Sequence, residues 1–284
     1  FNRMQKFLEH LDMPVPEILY YDAKRGLIFL EDGGNTHLED LARKSPQNII
    51  AWYQKAIELI VAMQTRVTKN MRPFCPAYSL NFDVEKLMWE MDFMIKHYIR
   101  GFLNLQLSQN EESEIRTALL ELCKTLADEE RVFVHRDFHS RNLMVQKENL
   151  MLIDFQDARM GPRQYDLASL LKDSYVILEN ETRYELLDYY IQRMEQEENR
   201  HIPRADFIKI FDWMSVQRNL KAIGTFAFQC TEHKKDRYVQ YIEPTLQYIR
   251  DTIHSRTDLK PLCQALQQVI PGLNSGTESR SHQS

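Results

Sequence analysis

"VFVHRDFHSRNLMV" occupies residues 132–145, and "LMLIDFQDARMG" follows at 150–161. Val132–Val134 is a short strand-forming run, and His135–Asn142 form the polar loop that leaves it. Leu143–Val145 and Leu150–Ile153 flank the turn "QKEN" and read as a hairpin, with Asp154 at the end of its second strand. Packing alone has no use for so many polar groups between buried strands. Chain economy is expected to bring Asp137, Asn142 and Asp154 to the same edge of one small sheet. Two carboxylates and a carboxamide supply hard oxygen ligands, which suit Mg2+ better than a soft metal.

An H-R-D-x-x-x-x-N run followed by D-F is the arrangement of protein-kinase-type phosphoryl transfer. In that chemistry one Asp accepts the proton of the acceptor hydroxyl, while the Asn and a second Asp hold magnesium on the nucleotide phosphates. The corresponding residues are Asp137 as base, with Asn142 and Asp154 as metal ligands. Catalysis of this kind is mostly positioning and charge neutralisation, which is why these residue types are needed. A lone His-Arg-Asp could equally be a loop salt bridge. The full set, in a strand–loop–hairpin context, is far more specific.

The rest of the chain frames this insert. Phe1, Met4, Leu8 and Leu11 have helical spacing, and 18–21 with 27–30 read as a β-hairpin around a turn ending at Gly26. Glu31-Asp32-Gly33-Gly34 stops the second strand at a glycine crossing point. Residues 36–43, 47–67, 83–101 and 111–128 carry helical periodicity, as do about five segments between 165 and 270. The tail 274–284 is polar and is expected to be disordered. Domain boundaries are expected at 1–34, 35–273 and 274–284.

Composition narrows the partners. The 284 residues are 43% hydrophobic and 27% charged, as in ordinary globular proteins, with a net charge of -5. No Lys/Arg run is long enough for a nucleic-acid face. Four scattered cysteines without a C-x-x-C suggest free thiols in a reducing compartment. No apolar run approaches the ~18–20 residues of a membrane span. A cytoplasmic, non-membrane monomer is the expectation.

Departures from protein kinases are informative: Gln156 stands where glycine would follow Asp-Phe, and no A-P-E follows. "QDARMGPRQYDLASLLKDSY" (156–175) instead leads directly towards a helix and resembles the aminoglycoside phosphotransferase superfamily. "HRDFHSRNLM", "IDFQDARMGPRQYDLASLLKDSY" and "VQRNLKAIGTFA" (216–227) are similar to the anomeric N-acetylmuramate/N-acetylglucosamine kinases of cell-wall recycling. "LIFLEDGG" resembles their hinge, and the likeness extends over roughly residues 1–255. It implies an α+β, two-lobed protein-kinase-like fold with a mainly helical C-lobe, ATP as donor and a sugar 1-phosphate as product. It also implies an N-lobe with several strands and a phosphate-covering loop. No G-x-G-x-x-G precedes the hinge, so that region is expected to be truncated or to lie upstream of Phe1.

On the same resemblance, Glu31, Asp32 and Gly33 should present backbone groups to adenine. His135 is expected to hold the catalytic loop by hydrogen bonds. His139 and Arg141 either meet the acceptor or phosphate or make a loop-stabilising ion pair. Gln156 and Asp157 could bind sugar hydroxyls or the acetamido group, Asp157 being alternatively a cap or a partner of Arg163. Asp166 is expected to be an N-cap that also steadies the catalytic loop. Arg218 and Lys221 share a helix face that could receive a substrate carboxylate or could simply be solvated. Glu90 and Asp92 are weaker candidates for the sugar site. The rival readings are another acceptor, such as an aminoglycoside or choline, and a non-catalytic nucleotide-binding module. Arg159, Arg163, Arg218 and Lys221 speak against a polycationic acceptor, and the presence of all three key residues speaks against loss of catalysis.

Overall fold

In the computed structural model, which describes residues 1–274, the helical spacing of Met4, Phe7 and Leu8 becomes the buried face of α1 (Asn2–His10). β1 (Ile18–Asp22) and β2 (Leu27–Leu30) form the anticipated antiparallel hairpin, its turn held by Asp22 Oδ1 accepting from Lys24 N and Arg25 N at 3.0 and 3.1 Å. Then come α2 (Leu38–Lys44), α3 (Ile49–Ala62), α4 (Val84–Met94) and α5 (Gln109–Ala127). The central insert comprises β3 (Arg131–Val134), β4 (Leu143–Gln146), β5 (Asn149–Leu152) and β6 (Arg159–Pro162). Helices α6 (Gln164–Leu171), α7 (Asn180–Glu198), α8 (Arg204–Thr231), α9 (Ile242–Ser255) and α10 (Lys260–Val269) follow, so the five helical segments expected after residue 165 are present. Apart from Asn274, the tail expected to be disordered lies outside the described residues.

The sheet arrangement differs from the sequence reading. β3 does not join the β4–β5 hairpin; it pairs antiparallel with β6, Arg131 opposite Pro162 and Val134 opposite Arg159. β6 itself had read as part of a direct run into a helix. It is held on both edges: β3 pairs with one, and on the other Met160 N donates to Leu80 O at 2.8 Å and Phe82 N donates to Met160 O at 2.9 Å. Gly161 is small of necessity: a Cβ there would lie 2.6 Å from the Phe82 ring, which stacks on Tyr165 at 4.4 Å.

The described chain divides into two compact units. The first, Phe1–Lys86 with Leu126–Ser215, contains all six strands. Tyr53, Phe82, Phe133, Phe138, Phe155, Tyr165 and Tyr190 are fully enclosed in it. Each such side chain contributes roughly 1.5–3 kcal/mol through burial, before the entropy of ordering it is set against that gain. β4–β5 is flanked by chain on both sides: Val145 N donates to Thr36 O at 2.8 Å and Leu152 N donates to Pro14 O at 2.7 Å.

The second unit, Leu87–Thr125 with Val216–Ser284, is built of helices and connecting loops, with no strand among its described residues. Leu119, Cys123, Leu220, Ile223, Ile249 and Leu266 lie in its core. α4 and α8 meet there backbone to backbone, since a Cβ on Gly224 would sit 2.8 Å from Met94 Cα. Among the described residues no helix is long and apolar enough to cross a membrane.

Candidate active site

β3 ends in a loop whose first two residues are held by one carboxylate. Asp166, fully buried in α6, accepts from His135 N at 2.7 Å and Arg136 N at 3.0 Å. The loop-steadying role expected of Asp166 is therefore visible. Its expected capping role is not, because Arg163 occupies the N-cap of α6 and Asp166 lies inside the helix. With both amides held, Arg136 takes φ 82°, a strained value for a long side chain. His135 is enclosed, and its Nε2 lies 3.0 Å from Ile153 O. A carbonyl only accepts, so Nε2 carries the proton. Burial pushes this imidazole below its usual pKa, against the opposing pull of Asp137 and Asp154. His135 is thus a neutral tie between the loop and the residue preceding Asp154.

Within the loop, His139 N donates to Asp137 O at 3.0 Å and Asn142 N to His139 O at 2.9 Å. The Asn142 side chain gathers the three key residues: Nδ2 donates to Asp137 O at 2.9 Å and lies 3.4 Å from Asp154 Oδ2. Ile153 N donates to Asn142 O at 3.1 Å, which sets Asp154 beside the loop. Asp154 follows in the left-handed region, at φ 65°. Convergence therefore comes from the Asn142 bonds across two separate ladders rather than from one shared sheet edge.

The donor set can be tested against magnesium. Asn142 stands beside Asp154, its Nδ2 3.4 Å from Oδ2, and its amide adds a neutral oxygen donor next to that carboxylate. Asp154 is exposed and adds a carboxylate. Among the described residues no cluster of three or more His, Cys, Asp or Glu could cage a metal alone. One carboxylate and one amide oxygen, completed by phosphate oxygens and water, is a usual arrangement for Mg2+. The residues fit the ion.

Around this centre the candidates divide. Gln156 Nε2 donates to Asp154 Oδ1, placing Gln156 against the metal-ligand carboxylate. Asp157 pairs with Arg136 at 2.9 Å. The alternative partner, Arg163, is engaged by Glu130 and Glu198, which removes it from the positive charge counted against a polycationic acceptor. Arg141 forms a two-pronged pair with Glu39, with Nη2 to Oε1 at 3.0 Å, and stacks under Tyr175 at 3.7 Å. His37 Nδ1 donates to Arg141 O at 2.7 Å, and His139 meets the Tyr175 ring edge-on at 5.2 Å. The ion-pair alternative for Arg141 is thus the contact observed.

Asp32 and Gly33 lie along the β4–β5 hairpin, while Glu31 N donates to Glu17 O at 2.9 Å. Gln146 Nε2 donates to Asp32 O at 3.3 Å, and the Cβ position of Gly33 is 3.5 Å from Met144 and Met151. In the second unit, Arg218 is 3% exposed, so it does not belong to a solvated face. Gln217 Nε2 there donates to the buried Glu90 at 3.1 Å, and Asp92 is paired with Arg116.

Sequence reasoning overlooked four residues around the loop: His37, Glu39, Asp173 and Tyr175. Asp173 and Tyr175 lay inside a motif already singled out. Glu39 is 102 positions from Arg141, and nothing local announces the pairing.

The APH phosphotransferase enzyme family matches residues 1–205, most of the chain and all of the loop and hairpin. The chain belongs to this family. The phosphotransferase is 28% identical over 277 residues to an N-acetylmuramate/N-acetylglucosamine kinase of Neisseria meningitidis serogroup B, covering 95% of this chain and 79% of that protein. It is 29% identical over 274 residues to the Pseudomonas aeruginosa protein of the same name, covering 96% and 78%. Among solved structures, a choline/ethanolamine kinase family protein from Mesorhizobium loti superposes with a TM-score of 0.61 at 14% identity, over 94% of this chain and 82% of that one. The fold is thus the α+β, protein-kinase-like one, and the protein is a phosphotransferase acting on an alcohol acceptor.

Proposed function

We propose that this phosphotransferase transfers the γ-phosphoryl group of ATP to the anomeric hydroxyl of N-acetylmuramate or N-acetylglucosamine, in the cytoplasm, as part of cell-wall recycling. The observation that carries the reading is the meeting of Asp137, Asn142 and Asp154 through the Asn142 side chain. The acceptor follows from the names of the relatives that align over nearly the whole chain.

Asp137 accepts the hydroxyl proton as the acceptor oxygen bonds to phosphorus; the bond to the ADP oxygen breaks, and the proton leaves Asp137 for solvent. Asn142 and Asp154 would hold Mg2+, which supplies charge neutralisation on the nucleotide phosphates. Glu31, Asp32 and Gly33 offer main-chain groups to adenine. Gln156 and Asp157 are assigned to the sugar, and His139 to the acceptor or phosphate. Arg218 is assigned to a carboxylate such as the lactyl group of N-acetylmuramate. Arg141, given its pair with Glu39, serves the acceptor by keeping the loop in place.

The test is ADP release with Mg-ATP and N-acetylmuramate, N-acetylglucosamine, kanamycin or choline. Turnover with either amino sugar is expected. Turnover with kanamycin or choline alone would keep the mechanism and replace the acceptor.

A further inference from the structure

Two buried carboxylates, at opposite ends of one short helix, clamp the loop that carries the proposed base. Asp166 holds the amides of residues 135 and 136. Asp173, two residues past the end of α6 and fully buried, accepts from Ser140 N at 2.9 Å and Ser140 Oγ at 2.6 Å. Its other oxygen accepts from Tyr175 N at 2.9 Å, which folds the chain back so that the Tyr175 ring covers His139 and Arg141. The base, Asp137, lies between the two clamped points, and Asn142 lies two residues beyond the second. Asp166 and Asp173 are seven positions apart, about 10 Å if the helical rise is carried through. α6 stops at Leu171, so the helix together with the turn after it sets how far apart the two ends of the loop can be.

We infer that Asp173 is a positioning residue for phosphoryl transfer: through Ser140 it sets the separation of the base from Asn142, and it touches no substrate itself. The inference rests on the assignment of Asp137 as base and is independent of which acceptor is used. A buried carboxylate holding three donors is costly to place and keeps its site only where those donors are well aligned. Misplacing a reacting group by about 1 Å can cost on the order of a hundredfold in rate.

The experiment compares wild type, Asp173→Ala, Ser140→Ala and the double variant in steady-state ADP release, with amide hydrogen exchange on the same samples. Asp173→Ala is expected to lower kcat about 10–100-fold, with each KM moving less than about threefold. Ser140→Ala, which keeps the backbone bond, should lose only a few-fold. The double variant should be no worse than Asp173→Ala, since both remove one connection. Exchange should quicken at residues 138–142 and stay unchanged at β4–β5. A folded Asp173→Ala enzyme with wild-type kcat, or with its loss confined to KM, would overturn the inference. Multiplicative losses in the double variant would also overturn it. Should Asp173→Ala fail to fold, the kcat and exchange changes in Ser140→Ala decide the question. Should wild type phosphorylate none of the four acceptors, the acceptor reading fails, while loop exchange in the variants still decides the brace.

Discussion

Asp137 is half-buried and follows a residue held at φ 82° by the Asp166 carboxylate, so its direction is set by backbone constraint rather than by its own rotamer alone. Replacing it by Asn keeps volume and polarity but removes the proton acceptor. Asp137→Asn is expected to reduce kcat by about 100–10,000-fold while nucleotide affinity changes less than about threefold. Steady-state ADP release beside nucleotide titration measures both, and parallel loss of the two would sink the base assignment. His135 makes a separate prediction. Its folded pKa is held below the ordinary 6.5, first by burial, so below pH 6.5 the unfolded chain binds protons that the native one refuses. Stability from this group is complete above about pH 6.5 and declines as pH falls from there towards the folded value. His97 shifts in the same direction, again first through burial, so the wild-type slope is shared. His135→Asn removes one contribution. Its Tm should fall less than that of wild type between pH 7 and 5.5, and identical slopes would refute the assignment.

At the scale of elements, what was legible in the sequence was local. The hairpin around "QKEN", the β1–β2 hairpin and the helices announce themselves by periodicity within a few residues. β6 did not, because "RMGP" has four residues, no alternation and both strand-breaking residue types; it is a strand because Val132–Val134 and Leu80–Phe82 pair with it from either side. For the same reason the site residues were readable while their supports were not: Glu39, His37 and Asp173 act across 33 to 104 positions. Arg218 was placed on the right helix, but its burial depends on neighbours no helical pattern reveals. In the motif "VQRNLKAIGTFA" packing explains the glycine: at Gly224 α8 touches the backbone of α4. Gly224→Ala brings a methyl to 2.8 Å of Met94 Cα, and neither backbone can move aside cheaply. Overpacking of this kind outweighs the gain in helix propensity, and a loss of roughly 1–3 kcal/mol is expected in denaturant titration. An unchanged or stabilised variant would mean that the two helices separate more readily than their packing implies.

Over the whole molecule, the four cysteines sample both compact units: Cys75 belongs to the first, and Cys123, Cys230 and Cys263 to the second. All four are free and buried. Burial raises every one of these thiols above its ordinary pKa, and Cys123, beside Glu90 and Asp92, is pushed up to about 12. Thiolate is the reactive species, so at pH 8 each sulfur combines a low thiolate fraction with poor access. Labelling by a soluble disulfide reagent in native buffer should therefore be slow at all four positions and complete within minutes in strong denaturant. Mass spectrometry of the labelled peptides separates the units, since protection at Cys75 reports only on the first. With intermediate denaturant, labelling should follow the opening equilibrium of whichever unit encloses each cysteine. Rapid modification of any one thiol in native buffer would show that its surroundings open far more readily than the described packing allows. A uniform slow rate would instead tie thiol reactivity to unfolding of the helices and strands that hold the catalytic loop and the α4–α8 contact.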